Sequence, residues 1–154
     1  MRYIYSPHRA KYLKTKIHKC PFCDIENNEN IIYKAKYNFI IMNLYPYTPG
    51  HFMVIPYKHI SDLNDLDEAT WLELSILVKH GVNILKTHFD ANGVNIGMNL
   101  GSAAGAGVPD HMHYHLVPRW PGDTNFITTI GHTRIIGQDL NELKDRLKYY
   151  FSLI

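Results

Sequence analysis

The sequence has little of what marks several large classes of protein. It has only two cysteines, Cys20 and Cys23, in 154 residues, too few for a disulfide scaffold. No window approaches the roughly 18 apolar residues of a membrane span, so no membrane partner is expected. The opening stretch, residues 1–19, is basic and rich in tyrosine but has no apolar core. It does not read as a secretory signal, and a cytoplasmic location is expected. The formal net charge is +2, too small to argue for binding a nucleic-acid polymer. There is no repeat, low-complexity tract or linker. Hydrophobic residues make up 45% and charged residues 19%, close to the globular average and incompatible with intrinsic disorder. The length suits one domain, 1–154. What is abundant is histidine, with ten residues.

Residues 1–19 read as an irregular arm with a short helix after Pro7. Ile31–Ala35 and Asn38–Met42 are β-branched and aromatic runs joined at Lys36-Tyr37, which predicts a hairpin. Tyr45-Pro46-Tyr47-Thr48-Pro49-Gly50 is a turn-rich break. His51–Pro56 reads as an apolar strand ended by proline. Asp67–Phe89 reads as a helix with Leu72, Ile76, Val82 and Leu85 on its apolar side, widened by Trp71, Leu74 and Leu77, and with acid at its start. Gly81 inside that helix costs about 1 kcal/mol relative to alanine, which points to a kink or close packing. Gly93–Met98 and Met112–Pro118 read as strands. A C-terminal helix is expected over 138–152, with Leu140, Leu143, Leu147 and Tyr150 on one side. Successive strands without regular helical crossovers predict an α+β fold, an antiparallel sheet with helices packed on it.

The strongest chemical signal is His111-Met112-His113-Tyr114-His115-Leu116-Val117. In a strand, residues two apart share a face, so three imidazoles line one face, about 7 Å between neighbours. That makes either a metal site or a nucleophile with support. Just upstream lies a loop of small residues, Gly101–Gly107, whose glycines let backbone N–H groups approach an anion. It is not a Walker loop, because no Lys-Ser/Thr follows. Cys20-Pro21-Phe22-Cys23 is half of a zinc site, a redox pair or two buried thiols. A zinc site needs two more ligands, and His59 and His111 are available.

These residues resemble the histidine triad (HIT) family, whose His-φ-His-φ-His-φ-φ motif is met by His111–Val117. Asn43, Pro49-Gly50-His51-Phe52-Met53-Val54-Ile55-Pro56 and His59-Ile60 also match, so the resemblance runs from about Cys20 to Asp123 (20–123). The diadenosine tetraphosphate phosphorylase-like branch is the nearest in pattern. Its N-terminal segment is echoed by Pro7-His8-Arg9-Ala10-Lys11-Tyr12, and its Ala-Gly-Ala-Gly-Val and Val-Pro-Arg-Trp-x-Gly-Asp-x-Asn-Phe elements by Ala104–Val108 and Val117–Phe126.

The resemblance implies a HIT-like fold and cleavage of dinucleoside polyphosphates through a nucleotidyl-histidine intermediate. His113 would be the nucleophile. The main-chain carbonyl of His111 would hold its ring, His115 would contact the phosphate or leaving oxygen, and His51 would support. Asn43 would hold ribose hydroxyls and Asn99 would contact phosphate. The N–H groups of Gly105, Ala106, Gly107 and Val108 would receive phosphate oxygens. Structural zinc on Cys20, Cys23, His59 and His111, and a homodimer, are implied likewise. Two departures bear on the acceptor. Ala106-Gly107-Val108 offers no hydroxyl and an extra residue precedes His111, both fitting a phosphorylase, whereas His115 in place of the glutamine of many transferases favours water. Phosphorolysis and hydrolysis therefore both stand. A hydrolase of adenylylated small molecules, or a nucleotide-binding module with little turnover, are the alternatives. Trp120 is expected at a core or dimer contact, or as a wall against a base.

Overall fold

A computed structural model describes residues 20–26, 28–131 and 137–154; the expected arm 1–19, with its helix, lies outside them. Strand β1 (Ile31–Lys34) folds back on β2 (Asn38–Met42) as the predicted hairpin, with Lys34 opposite Phe39. Its turn is held from outside. The Glu73 carboxylate accepts the backbone N–H groups of Lys36, Tyr37 and Asn38 and the Asn38 side-chain amide at 2.8–3.1 Å. The remaining elements are β3 (Phe52–Pro56), α1 (Glu68–His88), β4 (Gly93–Gly97), β5 (Tyr114–Arg119), a single helical turn α2 (Phe126–Thr129) and α3 (Leu140–Phe151). The strands lie in the order β1-β2-β3-β5-β4, each neighbouring pair antiparallel, which is the α+β layout expected.

Both faces of the sheet's centre are apolar, because β2 and β3 are buried along their whole length. Alternation sends Ile40, Met42, Phe52, Val54 and Leu116 to one face, where α1 and α3 cover them with Leu74, Leu77, Leu85, Leu147 and Phe151. It sends Phe39, Ile41, Met53 and Ile55 to the other face, where Phe22 joins them in a smaller cluster. Both long helices start on an aspartate. Asp67 accepts the Thr70 N–H, and Asp139 accepts those of Asn141 and Glu142. Gly81 marks where α1 meets the sheet, since a Cβ there would stand 2.8 Å from both Leu116 Cδ2 and the Phe52 ring. Its role is close packing.

The apolar side of α1 is rotated from the expected one. Leu74, Leu77, Val78, Gly81, Ile84 and Leu85 are buried, whereas Trp71, Leu72 and Ile76 are 40–62% exposed. The irregular spacing of the apolar residues misplaced the stripe, because Gly81, with no side chain, lies at the point of closest contact. Helix α3 starts two residues later than expected and buries Leu143, Leu147 and Phe151. Trp120 packs on the main core, and its indole N–H donates to the Phe89 carbonyl at 3.2 Å.

The last strand begins at Tyr114, later than the predicted Met112. Pro56 ends β3 and has no N–H to continue a ladder, so β3 and β5 pair only over Phe52–Val54 and Tyr114–Leu116. Residues 111–113 instead run beside the segment that follows β3, with the Met112 N–H donating to Ile60 O at 2.7 Å.

Candidate active site and metal site

The strand's late start divides the three triad histidines between two sites. His111, outside the ladder, turns to the cysteines. His113 and His115 stay on the sheet face that carries no helix among the described residues, with ring centroids 4.9 Å apart. His51, just before β3 and fully buried, joins them with its ring 5.1 Å from that of His115.

Hydrogen bonds fix which nitrogen of each ring carries the proton. The Tyr47 backbone N–H donates to His51 Nδ1 at 3.1 Å, so His51 carries its hydrogen on Nε2. That nitrogen is 2.9 Å from His115 Nδ1, which must therefore accept, leaving the His115 hydrogen on Nε2. His113 Nδ1 lies 2.8 Å from the His111 carbonyl, which can only accept, so the lone pair of His113 is on Nε2. The two neighbouring rings thus hold opposite tautomers, one presenting a bare nitrogen and the other an N–H. All three are kept neutral at pH 7. Burial pushes His51 down to about 3, helped by His115 and His113, and His115 down to about 4, helped by His113. Burial also lowers His113, partly opposed by its bond to the His111 carbonyl.

The loop 45–50 supplies part of this order. Its Thr48 hydroxyl donates to Pro118 O at 2.8 Å, anchoring the loop to β5, and the Tyr47 ring lies 4.8 Å from that of His51. The sequence marked this segment only as a turn. Nothing in the residue type of Tyr47 signals its role, because the working group is a backbone N–H. The Asn43 Oδ1 accepts the Tyr45 N–H at 2.8 Å, and its amide nitrogen lies 3.4 Å from His51 Nε2. In the glycine loop, the N–H groups of Gly105 and Ala106 donate internally, to Ser102 O and Gly101 O. A positive φ of 91° at Gly105 makes that turn. Asn99 lines a cavity of about 330 Å³ together with His115, Tyr47, Thr48, Asn95, Val117 and Arg119.

On the other side of residue 111, a turn closed by Cys23 N–H to Cys20 O brings both thiols beside His59 and His111. His111 Nδ1 is 3.3 Å from Cys20 Sγ and 3.7 Å from Cys23 Sγ, and His59 Nδ1 is 3.2 Å from Cys23 Sγ. All four ligand atoms lie within 4.8 Å of one another. Neighbouring ligands of a tetrahedral Cys₂His₂ zinc ion stand about 3.3–3.8 Å apart, given bonds of about 2.0–2.3 Å. His111 Nε2 donates to Pro56 O at 2.9 Å, which leaves Nδ1 unprotonated and facing the thiols. Burial and the neighbouring Cys23 raise the Cys20 thiol pKa, so two thiolates here call for a cation. The four residues can hold a metal ion. Between its cysteines the turn places Phe22 against the His113 ring, at 5.1 Å.

The HIT domain model matches residues 24–122, and the chain belongs to the HIT domain family. It is 40% identical over 114 residues to an AP-4-A phosphorylase of Mycobacterium tuberculosis, covering 74% of this chain and 58% of that protein. It is 34% identical over 93 residues to the asymmetrical bis(5'-nucleosyl)-tetraphosphatase of Schizosaccharomyces pombe, covering 60% of this chain and 50% of that protein. The chain thus matches 58% and 50% of the length of these two relatives. Among solved structures, a Zn-bound histidine triad family protein from Mycobacterium smegmatis superposes with a TM-score of 0.64 at 30% identity, covering 80% of this chain and 84% of that one.

Proposed function

We propose that the chain is one HIT domain that cleaves dinucleoside polyphosphates such as diadenosine tetraphosphate, in two displacements through His113. The observation that carries this reading is the pair of opposed tautomers. His113 Nε2 is a bare nucleophile, held so by the His111 carbonyl, and His115 Nε2–H stands beside it as a donor. In the first step His113 Nε2 bonds to the α-phosphorus and the P–O bond to the departing nucleotide breaks. His115 donates a hydrogen bond to that oxygen, and the leaving polyphosphate carries its own negative charge away. In the second step phosphate or water attacks the phosphorus, and the P–N bond breaks to free His113. His51 holds His115 in the donating tautomer. Asn43, Asn99 and the loop Gly105–Val108 flank the nucleotide, with the Val108 N–H a direct donor and those of Gly105 and Ala106 available once their internal bonds open.

Zinc is the metal we assign to Cys20, Cys23, His59 and His111. Two thiolates and two imidazoles close a tetrahedron and leave no open position, so its work is structural. The site ties the cysteine turn to the peptide that orients His113. Reduced thiols suit the cytoplasm. The outer edge of β4, which pairs only with β5 among the described strands, suits sheet-to-sheet joining in a homodimer.

Incubation with diadenosine tetraphosphate, with and without phosphate, tests the reaction. ADP plus ATP identifies phosphorolysis and AMP plus ATP hydrolysis. Phosphorolysis is the outcome we expect, on the likeness to the mycobacterial phosphorylase. Failure to cleave, with no acid-labile, base-stable nucleotide trapped on the protein, would leave a binding module.

A further inference from the structure

Beyond the triad, the sheet face opposite α1 and α3 continues into the cavity of about 330 Å³. The ladder puts Gly97 opposite His115, Asn95 opposite Val117 and Gly93 opposite Arg119. Paired residues share a face, so His115, Asn95 and Arg119 all project to the side where His113 presents its nitrogen. Arg119 stands four residues past His115 along β5, about 13 Å of strand.

Arg119 is held from outside the cavity. Its Nε and Nη2 donate to the two carboxylate oxygens of Asp123 at 2.6 and 2.7 Å, and its Nη1 donates to Asn95 Oδ1 at 2.9 Å. Asp123 is not among the residues lining the cavity. A guanidinium has five N–H bonds. Three are engaged here, and two have no partner among the described residues. The grip fixes Asn95 as well, because its oxygen accepts from Arg119 and its NH₂ is left to donate. Asn99 adds a second amide with no partner among the described residues. Among the described residues, Arg119 is the only formally charged side chain in the lining, and no carboxylate lies among its neighbours there. The cavity therefore offers preorganised donors and no competing anion.

We propose that Arg119, with Asn95, forms a phosphate subsite beyond the scissile bond, next to the phosphate contact the family resemblance already implies for Asn99, and that it holds the part of the reaction that is exchanged on His113. This rests on the proposed reaction and deepens it. In a double displacement the acceptor enters where the leaving group departed. One anion subsite can thus hold the outer phosphates of the leaving nucleotide and then an incoming inorganic phosphate. Asp123 is a positioning residue that keeps the guanidinium aimed.

The test uses Asn95→Asp, on an exposed stretch of the edge strand, and Arg119→Gln. The first leaves the Arg119–Asp123 pair intact and places a carboxylate in the cavity. Calorimetric titration with tripolyphosphate, which needs no turnover, should show binding to the wild-type protein and at least tenfold weaker binding to both variants at an unchanged melting temperature. Equal binding to wild type and Asn95→Asp overturns the subsite, even if the protein cleaves diadenosine tetraphosphate. If binding is lost as expected but the wild-type protein cleaves nothing, the reaction falls and the subsite stands. Kinetics separate the two sources of phosphate. A subsite for the leaving group lowers kcat/KM for diadenosine tetraphosphate at least tenfold in Asn95→Asp, and less than twofold for adenosine 5'-phosphoramidate, whose leaving group has no phosphate. A subsite for the acceptor raises the KM for inorganic phosphate by a similar factor. Equal losses on both nucleotide substrates, with the phosphate KM unmoved, would mean general damage to the triad and would also overturn the assignment.

Discussion

His51 touches no reacting atom in the proposed mechanism, yet the tautomer of His115 depends on it. Replacing it with phenylalanine keeps a ring of similar size against Tyr47 but removes both hydrogen bonds. The Tyr47 N–H at 3.1 Å and His115 Nδ1 at 2.9 Å both lose their partner. Each buried group left unpaired costs about 1–3 kcal/mol. Tyr47 is 46% exposed, so water partly relieves its loss, and a total near 2–4 kcal/mol is expected. In the variant no hydrogen bond fixes the tautomer or the orientation of the His115 ring, and only the ring's own preference populates the donating form. Removing a preorganised donor outright costs about 10²–10³ in rate. The variant still has the ring, without its orientation, so kcat should fall by about 10–100-fold. His51→Gln is the informative partner, because its amide oxygen can accept from Tyr47 N–H and its NH₂ can donate to His115 Nδ1. It should recover most of the lost rate. Nitrogen NMR of labelled histidine reads the tautomer directly. Retention of the Nε2–H form of His115 in His51→Phe, with kcat within twofold of wild type, would refute the reasoning. Equal defects in His51→Phe and His51→Gln would reduce His51 to a packing residue.

The other predictions address the nucleophile, the metal, the fold and pH. His113→Ala should abolish turnover while nucleotide still binds, and residual activity within tenfold of wild type in a turnover assay would remove it as the nucleophile. Elemental analysis should find one zinc per chain, and Cys20→Ser should lower the melting temperature sharply, since structural zinc contributes on the order of 10 kcal/mol in small domains. A disulfide between Cys20 and Cys23 in zinc-free, fully folded protein would contradict this. Gly81→Ala forces a Cβ to within 2.8 Å of Leu116 and Phe52 and should destabilise by about 1–3 kcal/mol, read by denaturant titration. The acid limb of kcat/KM should lie below the ordinary histidine value of about 6.5, because burial lowers His113. Stability should follow the same sign: His51 at about 3 and His115 at about 4 stay neutral in the fold. Their contribution is complete above about pH 6.5, and it is lost as pH falls toward 4 and then 3 while the unfolded chain takes up protons.

What could be read from the chain was what depends on local pattern. The hairpin, the acid at the start of α1 and the proline end of β3 are encoded within a few residues and appear where the sequence puts them, whereas the three histidines do not share one face, because the strand begins only at Tyr114 and His111 turns to the cysteines. The apolar face of α1 was misread because it is set by contact with Phe52 and Leu116 on two distant strands. Those contacts need an absence at Gly81, which no hydrophobic count registers. The cysteine spacing alone was legible as half a site, and the full set with His59 and His111 came from the family resemblance, because it joins segments 36 and 88 residues away from Cys23. The parts of the site that were invisible are backbone groups, the Tyr47 N–H and the Pro56 carbonyl, since every residue carries these and only the fold decides which ones matter.

The division of the triad shows how a single short motif comes to serve two purposes. Three histidines alternating along a continuous strand would meet the same environment and could compete for one metal ion. Here β3 stops at Pro56, and β5 pairs with it no earlier than Tyr114. The ring of His111 therefore donates to the Pro56 carbonyl and its other nitrogen faces the thiols, while its own carbonyl still accepts from His113. One residue thus offers a ligand on its side chain and an orienting acceptor on its main chain. A His111→Asn substitution would remove the first without deleting the second. Its effect on turnover should therefore track metal loss and peptide disorder, and it should be smaller than that of His113→Ala, which removes the attacking atom.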